Sequence, residues 1–304
     1  MKVAVLGPGG VGGLLAAVLA RAGEDVTVVA RESTAQTISE RGVFVRSAMF
    51  GDFDARTRAC AQLQEKVDVL IIATKARGLE DALRRIEVQP GLVLPLLNGL
   101  DHIHTLRERF DPDTVLASTV RVESDRPEPG VVLHTSKFLL IDMATHSETA
   151  LPQMRALAEM LEDAGVYVRQ TLPVSERSEA QVMWSKLVRL NALACTTSAY
   201  DIKLGEIRRT PELRGDLEGC IHEASLVGRA EGAEDVDPQT AITELELAHE
   251  TLGSSMQRDI AAGREPELDA IPGAVLRAGA RHGLRCPTIE RLVAMIEARI
   301  AAMA

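Results

Sequence analysis

Lys186 stands inside an apolar run, with Val182-Met183-Trp184 before it and Leu187-Val188 after it. An ammonium in such surroundings can stabilise a developing negative charge and deliver a proton. Desolvation by its neighbours would lower its pKa towards the working range. The same residues also read as an ordinary helix with a snorkelling lysine, and the run alone favours that plainer reading. At the other end of the chain, Gly7, Gly9 and Gly12 fit the spacing G-x-G-x-x-G, with Pro8, Gly10 and Val11 between them. Glycines so spaced allow a tight turn, close approach of the backbone to a pyrophosphate, and close packing of a helix on the preceding strand. The helix N-terminus then stabilises the phosphate charge.

The context of the glycines strengthens that reading. Residues 2–6 form an apolar strand pattern, and Val11, Leu14, Leu15, Val18 and Leu19 fall on one helical stripe after it. A second strand over 25–30 ends at Ala30-Arg31. NAD sites place Asp or Glu at that position to hold the ribose 2′-hydroxyl, whereas an arginine suits a 2′-phosphate, so NADP(H) is the expected cofactor. The alternative is an arginine that is simply exposed.

Other polar residues carry two readings each. Asn98 follows an apolar strand over 92–97, at the carboxyl end where doubly wound sheets bind ligands, but Asn98-Gly99 is also a strong turn dipeptide. Lys75 ends the strand over 67–74 and is either a ligand contact or a surface lysine. Ser255 and Glu267 flank the charged run of Arg258, Asp259 and Arg264, which by itself reads as a solvated face. The four cysteines, Cys60, Cys195, Cys220 and Cys286, and the seven histidines have neither metal-ligand nor disulfide-framework spacing, so no metal is expected.

Around these residues the chain alternates in the manner of a parallel sheet with crossover helices. Further strands are expected over 114–122, 131–134 and 138–143, the last two as an antiparallel addition at the sheet edge. A helix over 151–164 turns Met154, Leu157, Ala158 and Leu161 inward. After residue 172 the pattern becomes almost wholly helical, with interruptions near Gly205, Gly232 and Pro287. The expected architecture is α/β: an N-terminal Rossmann-type doubly wound sheet over 1–172, then an all-helical domain over 173–304. A formal charge of -10 argues against nucleic acid and anionic membranes. No apolar run is long enough to span a bilayer, and the N-terminus lacks signal-peptide features, so a cytoplasmic setting is expected. The oligomeric state stays open, a homodimer included.

Five motifs in order, the glycine loop, Ala73-Thr74-Lys75, Leu97-Asn98-Gly99, Trp184-Ser185-Lys186-Leu187, and Ser254-Ser255-Met256 through Glu267-Leu268-Asp269, resemble the ketopantoate reductase (2-dehydropantoate 2-reductase) family along almost the whole chain. That family reduces 2-dehydropantoate to pantoate with NADPH, on the route to pantothenate and coenzyme A. The resemblance implies a second domain like that of 6-phosphogluconate dehydrogenase-type enzymes. It implies Lys186 as general acid, Lys75, Asn98 and Glu267 at the cofactor, and Asn98, Lys186, Ser255 and Glu267 at a 2-oxo acid substrate. Family members carry asparagines four and eight residues after the lysine, where this chain has Leu190 and Ala194. Asn191 is one residue, about 100° of helix, away from the first of these. Another 2-oxo acid or ketone is therefore a possible substrate, and a non-catalytic NADP(H)-binding regulator is the reading from a different class.

Overall fold

The computed structural model describes residues 1–170 and 179–303. Its contacts divide the chain into two compact units: residues 1–97 with 102–179, and residues 98–101 with 180–304. The expected domain boundary at residue 172 lies outside the described residues.

In the first unit, β1 (Lys2–Leu6) leads through the glycine turn into α1 (Gly10–Arg21), then β2 (Asp25–Val29), α2 (Glu32–Arg41), β3 (Val43–Ser47), β4 (Phe53–Ala55) and β5 (Arg58–Cys60). There follow β6 (Val69–Ile72), α3 (Leu79–Leu83), β7 (Leu92–Pro95), α4 (His102–Arg109), β8 (Ala117–Arg121), β9 (Ser124–Glu128), β10 (Val131–His134), β11 (Leu140–Ala144), α5 (Leu151–Asp163) and β12 (Tyr167–Gln170). Five strands form a parallel sheet in the order β5-β2-β1-β6-β7. From β1 the chain first builds outward through β2, then crosses back to β6, so the order reverses beside β1. The glycine turn leaves β1 at its carboxyl end, the topological switch point at which open α/β sheets bind ligands.

Two expectations change here. The apolar stripe predicted for α1 is in fact a helix buried all round from Gly12 to Leu19, because α1 packs on β1 and β2 and also on β3, β4, β9 and β10. Nor do the strands over 131–134 and 138–143 pair with each other at the edge of the main sheet. β10 joins a four-stranded sheet, β4-β3-β10-β9, and β11 joins a three-stranded one, β12-β11-β8. Buried His134 marks the divergence, with Nδ1 on Ser47 Oγ at 2.8 Å and Nε2 within reach of Ser136 Oγ and the Phe138 carbonyl. These bonds close a turn that separates the two strands. The helix α5 buries Met154, Leu157, Ala158 and Leu161 as its spacing predicts.

The helical stretch comprises α6 (Glu179–Tyr200), α7 (Leu204–Arg209), α8 (Pro211–Ala230), α9 (Pro238–Leu247), α10 (Ser255–Ala261), a π-helical turn over Asp269–Gly273, α11 (Ala274–Arg281) and α12 (Pro287–Met303). α6 is central: Trp184, Leu187, Val188, Ala192, Ala194 and Cys195 are buried in the core of this unit. Gly228 of α8 leaves room for the Trp184 ring, since a β-carbon there would stand 3.1 Å from the indole. Sequence-encoded caps set the helix starts. Asp237 accepts from the backbone of Gln239 and Thr240 at the head of α9, and Ser254 from Gln257 at the head of α10. No described helix is long and apolar enough to cross a membrane.

Candidate functional site

In the first unit, Gly7 adopts φ +88°, a conformation that favours glycine, and its backbone N–H donates to the Val29 carbonyl. Gly12 is required by packing: a β-carbon there would lie 2.3 Å from the Gly7 carbonyl oxygen. Gly10 is required too, pressed against the Ser124 backbone while Ser124 Oγ donates to its carbonyl at 2.9 Å. Gly9 differs from these three. It has an ordinary φ of -77°, and a β-carbon would meet only the Ala73 carbonyl oxygen at 4.0 Å. The fold needs three of the glycines for itself, and the space in front of Gly9 is left clear.

Gly9 caps α1 without a side-chain hydrogen bond, and the first turn of α1 has no acidic residue, so its leading N–H groups face no built-in anion. Thr74, beside Gly7, has a buried hydroxyl with no partner among the described residues. Clear space, outward N–H groups and an orphaned hydroxyl at the switch point fit the pyrophosphate of a nicotinamide dinucleotide. Arg31 follows β2 directly as the N-cap of α2; it is exposed and makes no ion pair among the described residues. Lys75 is exposed at the end of the segment that follows β6.

The second unit holds the other candidate residues. Lys186, on α6, is only 8% exposed, and its Nζ donates to Asn98 Oδ1 at 2.8 Å. Asn98 Nδ2 in turn donates to Glu267 Oε2 at 2.9 Å. The amide therefore bridges an ammonium and a carboxylate, and its two ends are distinguished by its neighbours: oxygen towards the donor, nitrogen towards the acceptor. A charge pair connected through a neutral amide keeps both charges hydrogen-bonded. Asn98 comes from the segment 98–101, Lys186 from the middle of α6, and Glu267 from the approach to the π-helical turn. The structure joins these three.

Ser255 is not joined to them. It is the first residue of α10, half-buried, and its hydroxyl makes no hydrogen bond among the described residues. Its neighbour Ser254 is occupied as the cap of α10 and also accepts from Thr197 Oγ1 of α6 at 2.8 Å. Asn191 is fully buried, and its Oδ1 accepts from Cys195 Sγ at 3.5 Å, so it serves the core of the unit. Leu190 is half-buried and Ala194 fully buried. Sequence reasoning did not single out Thr74, Ser124, Asp101 or Arg277. For Thr74 a signal existed in Ala73-Thr74-Lys75; for the others only the folded arrangement shows what they touch. Among the described residues no group of His, Cys, Asp and Glu is placed to hold a metal ion.

Comparison with known proteins follows the same division of the chain. An uncharacterized oxidoreductase of Bacillus subtilis (strain 168) is 27% identical over 303 residues, covering 98% of this chain and 98% of its own. A 2-dehydropantoate 2-reductase of Halobacterium salinarum is 26% identical over 311 residues, with 97% and 98% covered. The solved PanE/ApbA family ketopantoate reductase from Ralstonia eutropha JMP134 superposes with a TM-score of 0.83 at 26% identity over 99% of both chains. The fold also matches a D-mandelate dehydrogenase solved with NADH and anilino(oxo)acetate, at a TM-score of 0.88 and 20% identity over 99% of both chains. The family model for ketopantoate reductase PanE/ApbA matches residues 3–143, and that for its C-terminal part matches residues 180–300. With both halves of its length matched in order, the chain belongs to the ketopantoate reductase PanE/ApbA family of oxidoreductases.

Proposed function

We propose that this protein is an NADPH-dependent reductase of a 2-oxo acid, giving the 2-hydroxy acid, with 2-dehydropantoate to pantoate as the leading reaction. The observation that carries the proposal is the buried Lys186 held at 2.8 Å by Asn98, itself held by Glu267. The bound nicotinamide supplies the hydride. Lys186 stabilises the oxyanion and gives its proton to that oxygen, and Asn98 fixes the direction in which the ammonium points. Glu267 fixes Asn98 and accepts from a substrate hydroxyl, while the uncommitted Ser255 hydroxyl donates to the substrate carboxylate.

For the cofactor, backbone groups of Gly7, Pro8, Gly9, Gly10, Val11 and Gly12 hold the pyrophosphate, and Lys75 with Asn98 and Glu267 serve the nicotinamide end. Arg31, with no carboxylate competing for it, takes the 2′-phosphate and sets the preference for NADPH. A second reading of the substrate rests on Leu190, half-buried and apolar one turn of α6 after Lys186, which supports a 2-oxo acid with an apolar or aromatic side chain over a hydroxylated one. The D-mandelate dehydrogenase of like fold was solved with such a compound, anilino(oxo)acetate.

The test is one assay that follows loss of reduced cofactor across a panel of 2-oxo acids, hydroxylated, aliphatic and aromatic, with NADPH and with NADH. Turnover of 2-dehydropantoate with NADPH is the expected result. A kcat/KM higher for the aromatic members shifts the substrate to the second reading. No turnover with any member removes the catalytic reading and leaves a cofactor-binding regulator.

A further inference from the structure

The segments that bear Asn98 and Glu267 are fastened to each other a second time, a few residues further on. Arg277, on α11, donates through Nη2 to Asp101 Oδ2 and through Nη1 to Asp269 Oδ1; Nη2 also reaches the Asp269 carbonyl at 3.0 Å. Asp101 lies three residues after Asn98, and Asp269 two residues after Glu267. Beside the two fastenings the backbones touch. Gly99 has φ +87°, and a β-carbon on it would stand 2.1 Å from the Ala270 carbonyl oxygen. The contact falls on the π-helical turn Asp269–Gly273, an element that recurs at functional sites because its extra residue redirects a side chain.

We propose that Arg277 is a positioning residue for the reaction: by clamping Asp101 to the π-helical turn it holds segment 98–101 in the register at which Asn98 bridges Lys186 and Glu267. The inference rests on the reductase reading given above. Arg277 touches none of the reacting groups and acts through Asn98 alone. As exposed ion pairs, its bonds add little to global stability, and Asp269 is itself 88% exposed. Orientation is another matter. A displacement of Asn98 by a fraction of an ångström releases the ammonium from its direction, and catalysis is far more sensitive to such shifts than folding is. Arginine suits the task because its planar fork addresses two carboxylates in fixed directions, which a lysine does not.

The test combines a structure with a double-mutant cycle on the full chain. In crystals of R277Q, Asn98 Oδ1 is expected to leave hydrogen-bond distance of Lys186 Nζ. The kcat of R277Q should fall roughly threefold to tenfold, with R277K between it and the parent, while the melting temperature changes little. In an N98A background the same R277Q change should cost no further activity, because the residue through which it acts is gone. An Asn98 to Lys186 distance unchanged in R277Q overturns the proposal, as does a loss that multiplies with that of N98A. Should R277Q fail to fold, D101A removes the same bond from its other end and is read by the same two measurements. If the parent protein reduces no 2-oxo acid, the reductase reading falls, and the crystallographic distance alone decides whether Arg277 positions Asn98.

Discussion

The fold leaves the space in front of Gly9 clear and holds Lys186 on Asn98, and each permits a substitution that separates structure from chemistry. Lys186→Ala is expected to lower kcat by roughly 10²-fold or more while the dissociation constant for NADPH changes little, since the pyrophosphate is assigned to the glycine turn. Rapid kinetics beside a cofactor titration decides it, and near-normal kcat removes Lys186 from the mechanism. Gly9→Val places its β-carbon in free space with an allowed backbone, so the melting temperature should hold while NADPH affinity falls at least about tenfold. Gly12 is the contrasting case, because any side chain there strikes the Gly7 carbonyl and should cost stability first. Arg31→Ala should raise the KM for NADPH several times more than that for NADH; equal effects on both would remove the 2′-phosphate assignment.

Among the elements, those with strong local signals were readable from the amino acids: β1, α1, β2, β6, β7, β10 and α5 lie where their periodicity or flanking turns predict. Five strands were not, β12 (Tyr167–Gln170) among them. β4 and β5 span three residues each, and β9, Ser124–Glu128, contains an arginine and a proline and no alternation, so only pairing with β10 makes it a strand. β3 is better patterned but owes its place to β10, 84 or more residues away in sequence, and distant pairing leaves no local mark. The candidate residues were named from their motifs, but their arrangement was illegible: Asn98, Lys186 and Glu267 are joined, and Ser255 is not. The Lys186 to Asn98 and Asn98 to Glu267 bonds join residues 88 and 169 apart. The turn after β10 supplies a pH prediction. Burial pushes the His134 imidazole below its ordinary value of 6.5, opposed by its bond to the Phe138 carbonyl. The folded state therefore disfavours the proton that the unfolded chain accepts, so this contribution to stability is complete above about 6.5 and is lost as pH falls below it. Thermal unfolding at about pH 8 and about pH 5.5 should show a decline that is smaller in His134→Gln; an equal decline places the acid sensitivity elsewhere.

For the molecule as a whole, the distribution of thiols reports on integrity. Cys195, Cys220 and Cys286 are buried, and Cys60 is half-buried. Burial, reinforced by Glu223 and Glu290, pushes the Cys286 thiol up to about 11. Cys220 is raised by its contact with Cys195 and then by burial. In native protein at neutral pH only Cys60 should react with an alkylating reagent, and slowly, because its own thiol is also raised by burial. All four should react in denaturant, and mass spectrometry of the labelled peptides checks this. Rapid native labelling of Cys195 or Cys220 would mean that the helical core opens. The segment 98–101 bears on inheritance rather than reactivity. Four residues encoded within the N-terminal half are built into the other unit, where Asn98 meets Lys186 and Leu100 packs on the helical core. A chimaera that takes everything before α6 from one relative and everything after it from another thus combines an Asn98 segment and a helical unit that were selected apart. Recombination within this family is expected to succeed more often when residues 98–101 travel with the helices than when the crossover follows the order of the gene.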